Sequence, residues 1–319
     1  MKGYAIVVGL IAATIVILLL IVVIPPPDDF NFYNPYWNGL SRFSSELCPH
    51  HLDSIIDRRL LMESTKYILF IIGPEKRFEI SEAHFLRLLI ENGGIVVLMD
   101  DFGSGNSLLQ LLEISSRLNG SILLDPLFKE KMAALPKIRM LFMNVSDVVL
   151  NYATVIDDCQ RAIGYSSFYA FLDVNSNGIW DENEPKGPLT VACEVPIGRG
   201  KLIVISDSSI GINSMISMGS NVEFLKELID DRECFVDKSH WKPSQFMIVK
   251  EGLNLLLLLF SWPEVRYAVI IGAGLALIKL KLGRPVSAGK SEVDKVLMQN
   301  PTWNREVLEK LWREMCGER

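Results

Sequence analysis

The sequence predicts an α/β domain built on a Rossmann-like, mostly parallel sheet with added β-strands, flanked by two transmembrane helices. Three observations predict it. In the first half, continuous apolar runs of strand length alternate with helical patterns. The second half carries shorter strand-like runs separated by turn residues. Long apolar segments lie near both ends of the 319-residue chain, and the 49% hydrophobic content leaves ample core for the region between them.

Tyr4–Ile24 is apolar and uncharged, close to the ~20 residues that cross a bilayer as a helix. Lys2 precedes it and Pro25-Pro26-Pro27-Asp28-Asp29 stops it. A cleaved signal peptide is the rival reading, but Ile21-Val22-Val23-Ile24 lacks the small residues of a cleavage site. Residues 1–26 are therefore read as an uncleaved anchor. Residues 27–264 form the α/β domain, entered through a linker of prolines and aromatics that ends at Asn38.

Tyr67–Gly73 (YILFIIG) reads as a strand covered on both faces, and Ile80–Asn92 as a helix closed by Gly93-Gly94. Ile95–Met99 is a second buried strand and Asn106–Leu118 a second helix. Ile138–Asn144, Tyr165–Asp173, Leu189–Val195 and Lys201–Ser206 read as strands. Helix returns at Asn221–Asp231, then a short strand Cys234–Val236 and an apolar helix Ser244–Phe260, with a break at Pro263. Val265–Leu282 is read as the second transmembrane helix, with Arg266, Lys279 and Lys281 snorkelling; the competing reading is a buried or interfacial amphipathic helix. Residues 283–319 are a helical tail whose apolar face is Trp303, Val307, Leu308, Leu311 and Trp312.

Charge orients this arrangement. The region from Pro25 to Val265 carries a net −11, and the segment from Arg266 onward a net +4. The positive-inside rule puts Lys2 and the tail in the cytoplasm and the acidic domain outside the cell membrane. No basic patch for nucleic acid, P-loop or dinucleotide fingerprint is present. Of five cysteines, Cys48, Cys159, Cys193 and Cys234 fall in the outer region, enough for two disulfides whose pairing the sequence leaves open. Cys193 also reads as a small core residue. Asn119-Gly120-Ser121 and Asn144-Val145-Ser146 are glycosylation sequons, a weak signal.

Asp173-Val174-Asn175-Ser176-Asn177-Gly178-Ile179-Trp180-Asp181-Glu182-Asn183-Glu184 fits the calcium-loop pattern D-x-[DN]-x-[DN]-G-x₅-E at each specified position. Calcium takes several oxygen ligands at once. Asp173, Asn175 and Asn177 would offer side-chain oxygens, Ile179 its carbonyl, Asp181 a direct or water-borne contact, and Glu184 both oxygens. Pro185, Gly187 and Pro188 exclude the exiting helix of an EF-hand, so a single strand-flanked structural loop is expected.

A second candidate site is Asp100-Asp101-Phe102-Gly103-Ser104-Gly105-Asn106, at the carboxyl end of a parallel strand, where such sheets bind ligands. Asp207 occupies an equivalent strand end, with Asn213 shortly after, so Asp100, Asp101, Gly103, Asn106, Asp207 and Asn213 are the candidate ligand residues. The competing reading is a tight turn with an Asp/Asn cap. Cys48-Pro49-His50-His51 could ligate a soft metal but has no second ligand pair at zinc-site spacing, so it reads as an exposed loop. Asp237-Lys238-Ser239-His240 is either an acid–histidine pair or the polar entry to the Ser244 helix, and the second is preferred. No nucleophile with a partnering base is evident.

Asn34-Pro35-Tyr36-Trp37-Asn38-Gly39, the Asp100–Asn106 turn, the Leu172–Pro188 loop region, Ile197-Gly198-Arg199-Gly200, Ser206-Asp207-Ser208-Ser209, Asn213-Ser214-Met215 and the tail's Asn300-Pro301-Thr302-Trp303-Asn304-Arg305 together resemble the DUF4350 family of archaeal membrane-anchored proteins. The resemblance implies a class I glutamine-amidotransferase-like fold. Such enzymes use a Cys nucleophile with His and Glu, and no Cys stands at the matching strand-to-helix turn here. The resemblance also implies a MoxR-type ATPase and a von Willebrand-like protein as partners. The leading expectation is a non-catalytic, calcium-stabilised binding or assembly domain of a membrane complex. The alternatives are a metal-dependent hydrolase using Asp100, Asp101 and Asp207, or an accessory subunit of an ABC-type transporter.

Overall fold

Side chains alternate across a pleated strand, so a continuous apolar run must be covered on both faces. The computed structural model, which describes residues 2–141, 147–282 and 288–315, is organised around such runs. Helix α1 (Lys2–Val23) precedes α2 (Ser41–Glu46), β1 (His50–Leu52), α3 (Arg58–Met62) and β2 (Tyr67–Ile72). Helix α4 (Ile80–Glu91) joins β2 to β3 (Ile95–Met99), and α5 (Gly105–Leu111) follows. Short strands come next: β4 (Arg117–Leu118), β5 (Ile122–Leu124), β6 (Lys137–Met140), β7 (Val148–Val149), β8 (Ile156–Asp157), β9 (Ala162–Tyr165) and β10 (Phe171–Asp173). The hairpin of β11 (Thr190–Ile197) and β12 (Gly200–Ile205) leads to α6 (Asn221–Ile229) and β13 (Glu233–Asp237). Helices α7 (Gln245–Ser261), α8 (Pro263–Leu282), α9 (Ala288–Gln299) and α10 (Arg305–Met315) complete the chain.

Among the described residues the main sheet has nine strands in the order β1-β13-β2-β3-β12-β11-β9-β6-β7. Pairs from β1 to β12 are parallel, and pairs from β12 to β7 are antiparallel. The fold is thus mixed α/β, with a parallel block extended by the added strands. In β2, Ile68, Phe70 and Ile72 enter one apolar layer with Phe43 of α2 and Phe224 and Leu225 of α6. Leu69 and Ile71 enter the opposite layer with Phe85, Leu86, Leu89 and Ile90 of α4 and Leu108 and Leu109 of α5. Fully burying one such side chain contributes about 1.5–3 kcal/mol. A reciprocal capping box between Glu79 and Glu82 starts α4.

Several sequence expectations shift at particular residues. The helix expected over Asn106–Leu118 stops at Leu111, because Glu113 takes a left-handed φ of 58° and Arg117–Leu118 pairs with β8. The strand expected over Tyr165–Asp173 splits into β9 and β10. Between them Ser167 Oγ donates to Asp125 (2.5 Å) and accepts from the Tyr169 amide, and β10 leaves the main sheet to pair with β5. The strand begun at Ile138 ends at Met140; the Asn144 sequon lies outside the described residues. His50–Leu52, expected in an exposed loop, is an edge strand on β13. Cys48 is bonded to Cys234, and Cys193 is bonded to Cys159 rather than being a free core residue.

The chain divides into two compact units, Met1–Glu251 and Gly252–Arg319. Within the second, an ion pair from Arg305 to Asp294 (2.9 Å) joins α10 to α9, and Glu309 of α10 holds the same guanidinium at 3.0 Å. Lys279, Lys281, Arg284, Lys290, Cys316 and the terminal Arg319 have side chains or positions outside the described residues. Among the described residues no single helix is long and apolar enough to cross a membrane. Gln245–Ser261 and Pro263–Leu275 meet that measure only as a pair bent by 91°, and Gly9–Val23 is a shorter apolar helix. Pro263 opens α8 at a position where its missing N–H costs nothing, which marks the break the sequence placed there.

The Cys48–Cys234 link closes a loop with a sequence separation of 186 and pins β1 to β13. Replacing both cysteines by alanine should lower stability by about 2–5 kcal/mol, read as a lower denaturant midpoint under non-reducing conditions. An unchanged midpoint would mean the edge strand is held without the link.

Candidate functional site

Strands β3 and β12 lie side by side, Met99 opposite Ile205, so the turns that follow them are neighbours. This places Asp100, Asp101 and Asp207 at adjacent strand ends, as the sequence indicates. Their side chains are turned inward. Asp100 is buried and accepts from the amides of Asp101 (3.0 Å), Gly103 (2.9 Å) and Gly105 (2.7 Å). A Cβ at Gly105 would come within 2.6 Å of Asp100 Oδ2, so glycine is required there by the carboxylate, not by a ligand. Asp207 is fully buried and accepts from Asn151 N (2.7 Å) and Ser209 N (2.6 Å). Asp101 accepts from Phe102 N (2.8 Å) and from Ser208 Oγ (3.2 Å), linking the two turns.

The remaining candidates serve elsewhere. Asn106 exchanges two hydrogen bonds with the backbone of Leu118, 2.8 and 2.9 Å, and so holds β4. Asn213 lies away from the aspartates. Its amide donates to the carbonyls of Asn34 (2.9 Å) and Tyr36 (2.6 Å), and its oxygen accepts from Arg42 N (2.9 Å). Gly103 and Asn106 border an open cleft of about 660 Å³ whose other walls include Arg77, Arg117 and Lys242. The three aspartates do not line it.

Burial pushes the Asp207 carboxyl up to about 8, with the charge of Asp101 adding to the effect against the Ser209 and Asn151 amides. Burial likewise raises Asp100 to about 6, against the Gly105 and Gly103 amides, and raises Asp101 against Phe102 N–H and Ser208.

The calcium-type loop is drawn into one hydrogen-bonded net. Asp173 accepts from the amides of Asn177 (3.0 Å) and Gly178 (2.9 Å). Asn175 Oδ1 accepts from Asn177 N and Asn177 Oδ1 from Ile179 N, successive Asx turns. Both Asn amides donate to Asp181 Oδ2, at 2.6 and 2.9 Å. Glu184 closes the ring, one oxygen on Val174 N (2.8 Å) and the other on Asp181 N (3.1 Å). Gly178 has φ +75° with open space around it, so the turn requires glycine for its backbone angle. Among the described residues no group of three or more His, Cys, Asp and Glu side chains is arranged to hold a metal ion.

At one cluster the structure favours the reading that the sequence ranks second, and adds a partner the sequence does not show. Asp237-Lys238-Ser239-His240, expected as a polar helix entry, contains a buried acid–histidine pair. His240 Nδ1 lies 2.5 Å from Asp237 Oδ2, Nε2 lies 3.3 Å from Glu82 Oε2, and the ring stacks on Phe78 at 3.9 Å. Burial opposes a charged imidazole, but the Asp237 hydrogen bond and charge, with Glu82 behind them, outweigh it and raise its pKa. The D-x-x-H spacing at a strand end was the available signal; Glu82, 158 residues away, carried none.

A family model described as a domain of unknown function, DUF4350, matches residues 33–229, more than half of the chain. Among solved structures, the chain is similar to the mmIFT52 N-terminal domain at 14% identity and a TM-score of 0.41, covering 55% of this chain and 80% of that one. It is also similar to a β-galactosidase from Bacillus circulans sp. alkalophilus at 12% identity and a TM-score of 0.30, covering 53% of this chain and 23% of that one. A GH42 β-galactosidase from G. stearothermophilus matches at 14% identity and a TM-score of 0.25, covering 52% and 21% respectively. No curated protein matches the chain.

The raised carboxyl of Asp207 has a definite linkage sign. An unfolded aspartate loses its proton near ~4, whereas the folded one keeps it up to about 8. Between those values the unfolded state binds fewer protons, so stability falls as pH rises. Asp207→Asn should flatten the decline in unfolding free energy from pH 6 to 8, measured by denaturant titration at several pH values. A slope equal to that of the wild type would show that Asp207 is ionised in the fold.

Proposed function

Because the chain belongs to the DUF4350 family, we propose that it is a non-catalytic, calcium-stabilised extracytoplasmic domain that binds or assembles partners in a membrane complex. The observation that carries this reading is the loop from Asp173 to Glu184. All five side chains that would ligate calcium belong to one hydrogen-bonded net. Each Asn oxygen spends one lone pair on a loop amide, and a carbonyl oxygen has two. The backbone is thus set before an ion arrives, and the ion would displace the Asn amide donors from Asp181. Two disulfides suit an oxidising, extracytoplasmic compartment, where calcium is plentiful.

The anchor reading takes α1 as one span and the α7–α8 region as the other, with both termini cytoplasmic and the acidic domain outside. We further read the parallel block as a class I glutamine-amidotransferase-like fold, of archaeal origin, without the catalytic Cys. A MoxR-type ATPase and a von Willebrand-like protein are the proposed partners, with α10 as the contact for the former. Binding rather than catalysis is supported by the use of Asp100 and Asp207 as loop caps. The raised carboxyls of Asp100, Asp101 and Asp207 at neighbouring strand ends favour the second reading, a metal-dependent hydrolase. Metal-dependent turnover abolished by Asp101→Ala would establish that reading.

Calcium should raise the melting temperature of the chelated full-length chain. For Kd of roughly 10⁻⁴–10⁻³ M, ~10 mM calcium stabilises by about 1.4–2.7 kcal/mol, a shift of a few degrees. Asp173→Ala and Glu184→Gln should abolish the shift while the fold persists. A melting temperature indifferent to calcium would reduce the loop to a turn. In intact cells, protease added outside should cut the domain and spare a tag at Arg319; an externally accessible tag would overturn the two-span topology.

A further inference from the structure

The segment that follows α1 is locked, yet it leaves its aromatics in the open. Phe32 is buried against Trp241 and His51, with ring centroids at 5.8 and 5.3 Å. Asn34 is fully buried; it donates to Asp28 O (2.8 Å) and Asn38 Oδ1 (3.0 Å) and accepts from Tyr36 N (2.8 Å). Asn213 clasps the carbonyls of Asn34 and Tyr36 from the turn after β12. Between these fixed points Tyr33, Tyr36 and Trp37 are 68%, 44% and 69% exposed. A linker would leave such residues mobile. Here the backbone is held by buried amides, so the rings stand on a fixed support.

The place of this support identifies what covers it. Asn38, next to Trp37, donates to the carbonyl of Pro27 (3.1 Å), and Phe30 N donates to Asn38 O (3.0 Å). Pro27 is three residues beyond Ile24, where the apolar run of α1 ends, a reach of about 10 Å at most. Lys250 of α7 donates to the carbonyls of Ile21 (3.3 Å), Val22 (2.8 Å) and Ile24, which caps the end of α1. The Ser244 amide ahead of α7 meets Asp28 (3.3 Å). Trp37 is therefore one residue from Asn38, whose side chain meets Pro27 three residues beyond Ile24, and Tyr33 and Tyr36 precede it on the same held segment. Headgroup regions occupy roughly 5–8 Å on each side of the hydrocarbon core, and Tyr and Trp favour that zone. Beside Tyr33, a cleft of about 330 Å³ mixes Lys76, Lys238 and Lys242 with Asp28, Asp29, Asp53 and Glu251. Mixed charge of this kind suits a zwitterionic headgroup rather than an anionic surface.

We propose that Tyr33, Tyr36 and Trp37 form a rigid aromatic platform that seats the domain in the headgroup layer of a zwitterionic bilayer beside the end of α1. This rests on the reading of α1 as a membrane anchor. The platform would fix the tilt of the domain on the membrane, which a flexible linker cannot do.

The test uses the full chain reconstituted in phosphatidylcholine vesicles and floated on a density gradient. Tryptophan quenching is then compared for lipids brominated near the headgroup end and near the chain terminus. Wild type should show a shallow-quenched component that is lost in Trp37→Phe, unchanged in high salt, and restored when Tyr33→Trp is added to that variant. Floated protein whose shallow quenching is the same in Trp37→Phe would overturn the platform and leave the anchor standing. A shallow component seen only when anionic lipid is added would overturn the zwitterionic assignment. Protein that fails to float would overturn the anchor reading and the platform with it.

Discussion

Where parallel strands end inside a protein, the amides of the next turn lose the sheet and have no water to replace it. Three aspartates meet that constraint here, and much of the domain depends on them. Asp100 takes three amides of the turn after β3, Asp207 takes one beyond β12 and one from Asn151, and Asp237 takes Ser239 N at 2.9 Å. Leaving a single buried donor unpaired costs about 1–3 kcal/mol. The carboxylates therefore belong to the backbone first. In open α/β sheets the crevice beyond these strand ends is the usual ligand position. In this chain its Asp100 and Asp207 walls are occupied by the protein's own turns, which is why the position of the aspartates and their chemistry point in different directions.

The parallel block was legible because burial on both faces writes itself as uninterrupted apolar residues. The runs at Tyr67–Gly73, Ile95–Met99 and Lys201–Ser206 match β2, β3 and β12 within a residue, and the pairing of β12 with β3 makes Asp100 and Asp207 neighbours. Elements decided by a distant partner were not legible. β1 exists because His50–Leu52 meets β13, and β10 because Phe171–Asp173 meets β5. The early end of α5 reflects the left-handed turn at Glu113 and the pairing of Arg117–Leu118 with β8, which Asn106 braces through Leu118; helical periodicity encodes none of these. Cysteine number indicated two links, while the pairing waited on which strands became neighbours. The loop from Asp173 to Glu184 was the opposite case: its residues are consecutive, so their mutual geometry was set by local spacing.

That loop is rooted apart from the main layers. Leu124, Ala134 and Phe171 form a small apolar cluster with Trp180 packed against it. Trp180 Nε1 donates to Glu184 O (3.2 Å), and Lys186 lies 3.4 Å over the Trp180 ring. A cation held by the loop would steady this satellite and the β5–β10 pair without adding contacts to the central sheet. Its contribution would accordingly be a modest increment on a core already closed by Phe70, Phe224 and the α4 leucines.

The route from the sheet to α7 has no slack. After Asp237, His240 O accepts from Glu75 N (2.9 Å) and Lys76 N (3.0 Å), Trp241 Nε1 donates to Ile72 O (2.7 Å), and Lys242 N donates to Glu75 (2.8 Å). His240 adds Glu82 of α4 to the same clamp. Its raised pKa means that the charged clamp is complete below the ordinary histidine value of ~6.5 and weakens as pH climbs through the folded value. A displacement of the start of α7 must therefore break bonds to the end of β2, to α4 and, through Lys250, to the end of α1. Residues 237–242 are thus tied by polar contacts both to the end of β2 and to α4, and Lys250 in turn ties the first turns of α7 to the end of α1.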